Sequence, residues 1–116
     1  MQTPEAIIQA EANVDLGEFK TKPGALTEGV VERSASIWKN EKIDTGDWEA
    51  SPGSFPGKRD GYSEVAFITA GRATIEVEGQ ESRELVAGDV FVTPSGWAGV
   101  WHVHEPIRKH YVIINS

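Results

Sequence analysis

The sequence contains no cysteine and no long apolar run, and it is short of positive charge. Without cysteine the chain has no disulfides, no thiolate metal ligands and no cysteine nucleophile, a composition that fits a cytoplasmic protein. No stretch approaches the length of a membrane-spanning helix, so we predict no membrane partner. The first 16 residues have neither a basic start nor an apolar block, and we expect no secretory signal.

Positive charge is scarce, because 11 lysines and arginines stand against 18 aspartates and glutamates, for a formal net charge of -7. Nucleic-acid binding requires a basic face that neutralises phosphates. The two basic clusters, residues 58–59 and 108–110, are too short to form such a face. We therefore predict no nucleic-acid partner, and we attribute the acidity mainly to solubility.

The chain is instead rich in short apolar segments separated by glycine and proline turns. Its 116 residues, 39% of them hydrophobic, suffice for one domain with a single core. Strands are predicted at residues 30–39, 43–50, 64–69, 73–78, 89–93, 99–104 and 109–115. One or two helical turns are expected within residues 4–12, near Pro4. This pattern predicts an all-β protein, an antiparallel sandwich or barrel with little helix.

Several turn patterns resemble those of the cupin superfamily. Residues 88–96 follow the second cupin motif, G-x5-P-x-G, and Glu64-x6-Gly71 matches the end of the first. Residues 48–53 (W-E-x-x-P-G) and 99–111 (G-x-W-x-V-x-E-x-x-R-K-x-Y) resemble signatures of short single-domain cupins of largely unassigned function. That subgroup is related to the cupin halves of ureidoglycine aminohydrolases and to ethanolamine-utilisation cupins.

The resemblance covers roughly residues 30–114 and implies a fold and a division of the chain. The implied fold is a double-stranded β-helix, the small jelly roll of the RmlC-like cupins. We expect residues 30–116 to form a single cupin domain and residues 1–29 to form an N-terminal arm.

The same resemblance implies a metal site that this sequence does not complete. Metal-binding cupins supply H-x-H, a glutamate a few residues later, and one more histidine shortly after P-x-G, a ligand set suited to Fe, Mn, Ni or Zn. Here only the glutamate is matched, by Glu64. Residues 57–62 contain no histidine, and Gly99 stands where the last one belongs. We therefore predict no metal at the family position and no cofactor.

His102 and His104 are the alternative metal ligands, since H-x-H on a strand places both rings on one face. If Gly99 faces inward, however, Trp101 and Val103 share its face and the two histidines point outward. We favour exposed or interface histidines over a metal pair. A bulge between Gly99 and Trp101 would reverse the faces, so a divalent metal at a non-standard site stays open.

The barrel interior remains a candidate pocket for a small polar molecule. Trp101 would provide an apolar wall with an N–H donor. The carboxylate of Glu64 would need a partner inside the barrel, and Arg59 or Lys58 could supply it. The alternative is that Glu64 and Arg59 form a satisfied ion pair and that nothing binds.

The remaining aromatic residues divide between rim and core. Tyr62 could present its hydroxyl at the mouth of the barrel, and Trp97 is expected at the rim as a lid or contact residue. Trp38 and Trp48, on adjacent predicted strands, are assigned to packing. The predicted ligand-binding residues of the interior and rim are thus Glu64, Trp101, Arg59, Tyr62 and Trp97.

The terminal R-K-x-Y signature lies on the last strand. Alternation places Lys109 and Tyr111 on one face and His110 on the other. We interpret Lys109 mainly as a charge partner for an acidic residue such as Glu105 or Glu49.

Two classes of function remain. The missing metal ligands favour a small-molecule-binding or accessory cupin. The alternative is an enzyme acting on a small nitrogenous or carbonyl compound, aminohydrolase-like as its relatives suggest, or a metal-free isomerase with Glu64 or Tyr62 as acid or base.

We also expect a homodimer. A small jelly roll leaves open sheet edges that must be covered, charged or paired. The N-terminal arm has scattered apolar residues that gain most by packing along an edge or across a neighbouring subunit, and residues 33–38 could join a partner's sheet. The alternative is a monomer whose arm covers its own edge.

Overall fold

The computed structural model describes residues 2–9 and 14–116, which form eight strands. The strands are β1 (Lys20–Thr21), β2 (Val31–Lys39), β3 (Ile43–Ala50), β4 (Gly53–Lys58), β5 (Tyr62–Glu76), β6 (Arg83–Val86), β7 (Val90–Thr93) and β8 (Ala98–Asn115). Every pair of neighbouring strands is antiparallel. The described residues contain no helix, and the protein is an all-β cupin-like jelly roll.

The long strands β5 and β8 each contribute to two sheet layers. In the first layer the order is β1-β2-β3, then the C-terminal half of β8, the N-terminal half of β5, and β7. In the second layer the order is β4, the N-terminal half of β8, the C-terminal half of β5, and β6. The two layers enclose the barrel interior, and β5 pairs with β8 through both of them.

Both long strands bend at the point where they pass between layers. The register of β5 shifts three times between Ile68 and Ala73. Gly71, in the middle of this segment, has a φ of 89°, and a Cβ there would collide with the carbonyl of Pro106 on β8. Pro106 has no N–H to donate to a ladder, so it suits the same bend. A glycine and a proline together therefore allow the close approach of the two backbones.

The predicted strands are present, but four of them are halves of longer ones. Residues 64–69 and 73–78 were expected as two strands around a turn at residues 70–71, yet Gly71 bends β5 without ending it. Likewise residues 99–104 and 109–115 both belong to β8. The prediction missed β4, whose glycines and Pro56 are typical of a turn. Proline is tolerated there because β4 is an edge strand that pairs with β8 alone.

The prediction of N-terminal helical turns is wrong for the part of that segment that the structure describes. Residues 4–9 have no regular structure, and residues 10–12 of the predicted segment lie outside the described residues. A segment this short forms too few backbone hydrogen bonds to offset the cost of starting a helix. Its adjacent isoleucines, Ile7 and Ile8, are also both exposed, so no core stabilises a helical face.

The core lies between the layers and centres on Trp101. The buried cluster comprises Val30, Ala50, Phe55, Ala66, Ile68, Ala73, Ile75, Leu85, Trp101, Val103 and Ile107. The Trp101 ring lies 5.7 Å from that of Trp48 and 5.6 Å from that of Phe91, both edge-on. The packing role predicted for Trp48 is therefore confirmed. Trp38 is 40% exposed, and its assignment to packing is wrong because it lies on the outer face of β2.

A buried charge cluster holds part of the N-terminal arm against the outer face of β3 and β8. Arg108 donates to the Asp47 carboxylate at 3.0 Å and to the carbonyl of Val14 at 2.8 Å. His110 Nδ1 lies 2.7 Å from Asp47 Oδ1. Burial alone would raise the pKa of Asp47, but hydrogen bonds from His110, Arg108 and Gln9 outweigh it and hold that pKa below its ordinary value. The arm is thus anchored by a cluster of buried ion pairs and hydrogen bonds.

Exposed apolar side chains occupy the outer face of the first layer. Phe67, Val90 and Val92 are 42%, 58% and 54% exposed, and the register places Phe67 opposite Val90. Contiguous exposed apolar surface of this kind is typical of protein contacts. β1 covers the edge of β2 at residues 31 and 32. The rest of that edge pairs with no strand of residues 2–9 and 14–116, so the homodimer stays our expectation.

We predict that Val92→Lys disrupts the homodimer, because it places a charge within the exposed apolar face of β7. Light scattering of the unchanged chain should give twice 12.7 kDa, and the variant should give 12.7 kDa. Val86→Lys, at an exposed valine on β6, is the matched control and should remain dimeric. A wild-type mass of 12.7 kDa would contradict the dimer itself.

Candidate functional site

Three ionisable side chains meet inside the barrel and form what we call the interior charge cluster: Arg59, Glu64 and Lys109. They are 8%, 5% and 7% exposed. Arg59 Nη2 donates to Glu64 Oε2 at 2.5 Å. Lys109 Nζ lies 3.0 Å from Glu64 Oε1 and 3.1 Å from Glu64 Oε2. One carboxylate is therefore shared by two cations.

Neighbouring strands bring these three side chains together. Glu64 lies on β5 opposite Thr93 of β7, and the Thr93 hydroxyl accepts a hydrogen bond of 2.9 Å from Arg59 Nε. Lys109 lies on β8, between Trp48 of β3 and Ile68 of β5. Since directly opposed residues of antiparallel strands share a face, all of these side chains point inward.

Arg59 itself follows β4 and is held by the loop after β7. Its N–H donates to the carbonyl of Trp97 at 2.8 Å, and its carbonyl accepts from the N–H of Gly96 at 2.7 Å. This pair of backbone bonds fixes the position of the guanidinium beside Glu64. The segment that carries the G-x5-P-x-G motif thus orients an arginine of the barrel interior.

The charge balance of the cluster is unusual for a closed interior. Two cations and one carboxylate leave one positive charge without a counter-ion. Burial is the main cause that lowers the pKa of Lys109, Arg59 and Lys22 also lower it, Glu64 opposes the change, and the resulting pKa is about 8. Because an arginine keeps its proton, Lys109 is the group that can relieve the excess charge.

Aromatic rings flank both cations. The Lys109 ammonium lies 4.6 Å from the centroid of the Trp48 ring and 5.1 Å from that of Trp101. The Arg59 guanidinium lies 5.5 Å from the Trp97 ring. Such contacts attract a cation through the electron-rich ring face, and they partly replace water around the buried charges.

The indole of Trp97 occupies the space next to the position of the family's last histidine. A Cβ on Gly99 would lie 2.7 Å from Cζ2 of Trp97, and a Cβ on Gly57 would lie 3.4 Å from Cζ3. Glycine at these two positions therefore makes room for the ring. Trp97, expected at the rim as a lid or contact residue, is half-buried, with its ring 5.8 Å from that of Phe91, and its role as a lid stays a prediction.

The residues of the interior do not fit a catalytic metal. Within the part of the chain that the structure describes, no group of three or more histidine, aspartate or glutamate side chains converges. Glu64 is the only one of the family's ligands present, and its oxygens already accept from two cations that would repel a divalent ion. Metal-free function stays a prediction.

His102 and His104 point outward, as the strand alternation predicted, while Trp101 and Val103 are buried at 2% and 4% exposure. The pairing of β4 with β8 runs through this segment without a bulge. His102 lies 2.8 Å from the Ser54 hydroxyl and 2.8 Å from Glu76. His104 lies 2.7 Å from the Thr74 hydroxyl. The two imidazoles thus have separate partners on the outer surface.

All five predicted site residues lie at or beside the cluster. Glu64, Arg59 and Trp101 belong to it or contact it, and Trp97 contacts Arg59. The Tyr62 ring lies 5.9 Å from the Arg59 guanidinium, and its exposed hydroxyl donates to the carbonyl of Lys58 at 3.2 Å. That any of them binds a ligand stays a prediction.

Lys109 is the functional residue that the sequence interpretation misassigned. We expected it to be the charge partner of an acidic residue such as Glu105 or Glu49. It does pair with an acidic residue, Glu64, but the two named candidates are wrong. Glu105 pairs with Arg72 on the surface, and Glu49 pairs mainly with Arg33. The signal that could have identified its position is alternation, which placed Lys109 and Tyr111 on one face. Both are buried, and burial raises the pKa of Tyr111 to about 12.

A cavity of about 630 Å³ opens between β6 and β7. Its apolar lining includes Ile75, Leu85, Phe91 and Trp97, and charged residues of β6 and the preceding turn surround them. Arg59, Glu64 and Lys109 do not line it. Trp97 both lines this cavity and lies 5.5 Å from the Arg59 guanidinium, so its indole is adjacent to the open cavity and to the interior charge cluster.

The sequence model of the EutQ-like cupin domain family matches residues 38–111, more than half of the chain. The chain belongs to this family. The match spans β3 to most of β8, and it includes every member of the interior charge cluster.

Solved structures of similar proteins include other cupins. A DUF861 family protein from Thermotoga maritima is 31% identical, with 56% of this cupin and 73% of that chain covered and a TM-score of 0.53. A putative ethanolamine utilization protein Q from Salmonella typhimurium is 23% identical, with 84% and 78% covered and a TM-score of 0.65. KdgF from Halomonas sp. is 16% identical, with 86% and 89% covered and a TM-score of 0.63.

None of the curated proteins matches this cupin significantly. Among the described residues, no helix has the length and apolar character to cross a membrane. The family and the fold are thus known, and the function has to be inferred from the interior charge cluster.

We predict that Glu64→Gln lowers the free energy of unfolding by about 3 kcal/mol, because it leaves two buried cations without a counter-ion. Urea unfolding at pH 7 measures the change. Glu84→Gln is the matched control: its partner Arg72 is 41% exposed, and the loss should stay below about 1 kcal/mol. Plasma mass spectrometry should find the same metal content in wild type and Glu64→Gln. Loss of a tightly held ion in the variant would show that a metal site survives in altered form.

We predict that stability rises between pH 8 and pH 10. In this range the unfolded chain keeps a proton on Lys109 that the folded chain loses, since the folded pKa is about 8 against an ordinary 10.5. The free energy of unfolding should increase by about 2 kcal/mol. Above pH 10 the trend should reverse, because folded Tyr111 keeps its proton up to about pH 12.

Urea unfolding across this pH range tests the assignment to Lys109. The variant Lys109→Met should abolish the rise and should be at least as stable as wild type at pH 7, since it leaves a neutral Arg59–Glu64 pair. Lys39→Met, at an exposed lysine, should retain the rise. A rise that persists in Lys109→Met would contradict the assignment.

Proposed function

We propose that this cupin binds a small molecule carrying a carboxylate, in a barrel interior that works without a catalytic metal, and that its role is binding or accessory. The observation that carries the proposal is the excess positive charge of the interior charge cluster. Two cations, Arg59 and Lys109, share one carboxylate at less than 10% exposure. A ligand carboxylate would supply the missing counter-charge.

Charge buried in the barrel interior is costly. An ion taken out of water costs several kcal/mol unless a partner of opposite charge compensates it. Glu64 compensates one cation, and the second is held only by sharing that carboxylate and by indole contacts. A second anion in the site would be attracted more strongly than in water, because the interior screens charge less.

Donors for such an anion are available at the cluster. The Arg59 guanidinium uses Nε and Nη2 on Thr93 and Glu64, whereas Nη1 makes only a 3.3 Å bond to the carbonyl of Lys58. The Lys109 ammonium has three N–H donors, and both carboxylate oxygens of Glu64 lie within hydrogen-bond distance of it. Arginine and lysine donors of this kind form short, charge-assisted bonds to carboxylates.

Trp97 provides the route into the site. The cavity between β6 and β7 is lined in part by its indole, and the Arg59 guanidinium lies 5.5 Å from the same ring. Rotation of this one side chain would connect the cavity to the cluster. The proposal also includes the cytoplasmic homodimer expected from the sequence, although binding does not depend on it.

Differential scanning fluorimetry and calorimetry with sodium propionate test the binding. Propionate at about 100 times its Kd should stabilise the folded chain by about 2.7 kcal/mol, because it binds only that state. Lys109→Met should remove most of this stabilisation, since the excess charge is gone, whereas Lys39→Met should preserve it. Sodium chloride at equal ionic strength controls for salt. Equal stabilisation by propionate and by chloride would contradict the proposal.

We predict that Trp97→Ala speeds the association of propionate by about 10-fold or more, because it removes the indole between cavity and cluster. Stopped-flow tryptophan fluorescence can follow this, since three tryptophans remain. Trp38→Ala, at an exposed tryptophan outside the site, is the matched control and should leave the rate unchanged. An unchanged rate in Trp97→Ala would mean that the ligand enters by another path. The gain expected corresponds to a barrier lower by about 1.4 kcal/mol.

A further inference from the structure

Lys109 is the only group of the interior charge cluster that can become a neutral nucleophile. Arginine keeps its proton at any physiological pH, and a carboxylate is a weak nucleophile. The Lys109 amine lies 3.0 Å from Glu64 Oε1, within reach of a proton acceptor. It also lies beside two indole rings and away from solvent.

The surroundings favour the neutral amine. Arg59 competes with Lys109 for the same carboxylate, and loss of the lysine proton removes the excess charge. Burial is the largest of the effects that lower the pKa of Lys109 to about 8. At pH 7 the neutral fraction is then roughly 300-fold higher than that of an ordinary lysine. Amines made available in this way react with carbonyl compounds.

We propose that Lys109 forms a reversible imine with the carbonyl group of a small oxo acid whose carboxylate is held by Arg59. The inference rests on the carboxylate-binding function proposed above and names the class of molecule that the same site takes. It also specifies the alternative function that the sequence left open, an enzyme acting on a small carbonyl compound.

The step balances with the groups in the cluster. The Lys109 ammonium gives one proton to the Glu64 carboxylate, and the nitrogen lone pair forms a bond to the carbonyl carbon. The carbonyl oxygen takes the Glu64 proton and a proton from the nitrogen and leaves as water. The products are one C=N bond and one water molecule, and hydrolysis runs the same steps in reverse. No oxidant or reductant is consumed.

The geometry also limits the substrate. The flanking rings of Trp48 and Trp101 suit a flat group attached to the amine nitrogen. The 3.3 Å bond from Arg59 Nη1 to the Lys58 carbonyl is the weakest that the guanidinium makes, so this donor can turn to a ligand carboxylate. An acid whose carbonyl lies next to its carboxylate would span the two cations. Pyruvate and glyoxylate are the smallest probes of this class.

Reductive trapping tests the proposal. The purified chain is incubated with pyruvate and sodium cyanoborohydride at pH 7 and then analysed by intact mass and peptide mapping. Among the lysines we expect the adduct at Lys109, with at least about 10-fold more modification there than at Lys39, given its larger neutral fraction. Lys109→Arg keeps the positive charge but has no nucleophilic amine, so its adduct should be lost. Lys39→Arg should react like wild type.

Propionate separates failure of the imine from failure of the binding site. If propionate stabilises the chain but pyruvate leaves no adduct at Lys109, the site binds carboxylates and the imine proposal is wrong. If neither acid stabilises the chain and no adduct forms, both proposals are wrong. Excess propionate should protect Lys109 from trapping in wild type, a result that does not depend on any variant folding. Equal labelling of all six lysines would overturn the inference.

Discussion

The sharing of the Glu64 carboxylate between Arg59 and Lys109 is the constraint on which the barrel interior depends. It requires β5, β8 and the segment after β4 to converge, because each supplies one member. Because the cluster is buried, each charge needs an opposite charge beside it, whereas water would screen the same charge at the surface. The neighbouring aromatic rings and the Thr93 hydroxyl are best understood as supports for this arrangement.

Relative to a metal-binding cupin, the interior has exchanged imidazoles for an indole and two cations. Gly99 takes the position of a histidine, and the Trp97 ring fills the space that its missing side chain leaves. Glu64 stays in place but accepts hydrogen bonds from protein cations where a metal-binding relative would use it as a ligand. The same fold thus holds a site whose positive charge is supplied by side chains in place of a metal ion.

The sequence allowed the face of the sheet to which a side chain points to be predicted better than the residue that it contacts on the neighbouring strand. Alternation has a period of two and is a local property, so it placed Trp101 inward and His102 outward correctly. The partner of Lys109 depends on the register between β5 and β8, which are distant in the chain, and no local signal encodes it. Gly71 misled for the opposite reason, since a residue typical of a turn here bends a strand that continues. The exposure of Trp38 likewise depends on what covers its sheet face, a tertiary property.

The continuous pairing of β5 with β8 has a consequence for how the chain folds. Tyr62 pairs with Asn115, and Glu76 pairs with Val100, so the central ladder joins segments separated by most of the C-terminal half. A ladder of this kind can close only after the intervening chain has lost much of its freedom, and little of its stabilisation is available beforehand. The protein should therefore fold on the slow timescale of non-local β topologies, milliseconds to seconds. Until that ladder closes, both sheet layers lack their common strands, and the nascent chain exposes the apolar edges that the finished barrel conceals.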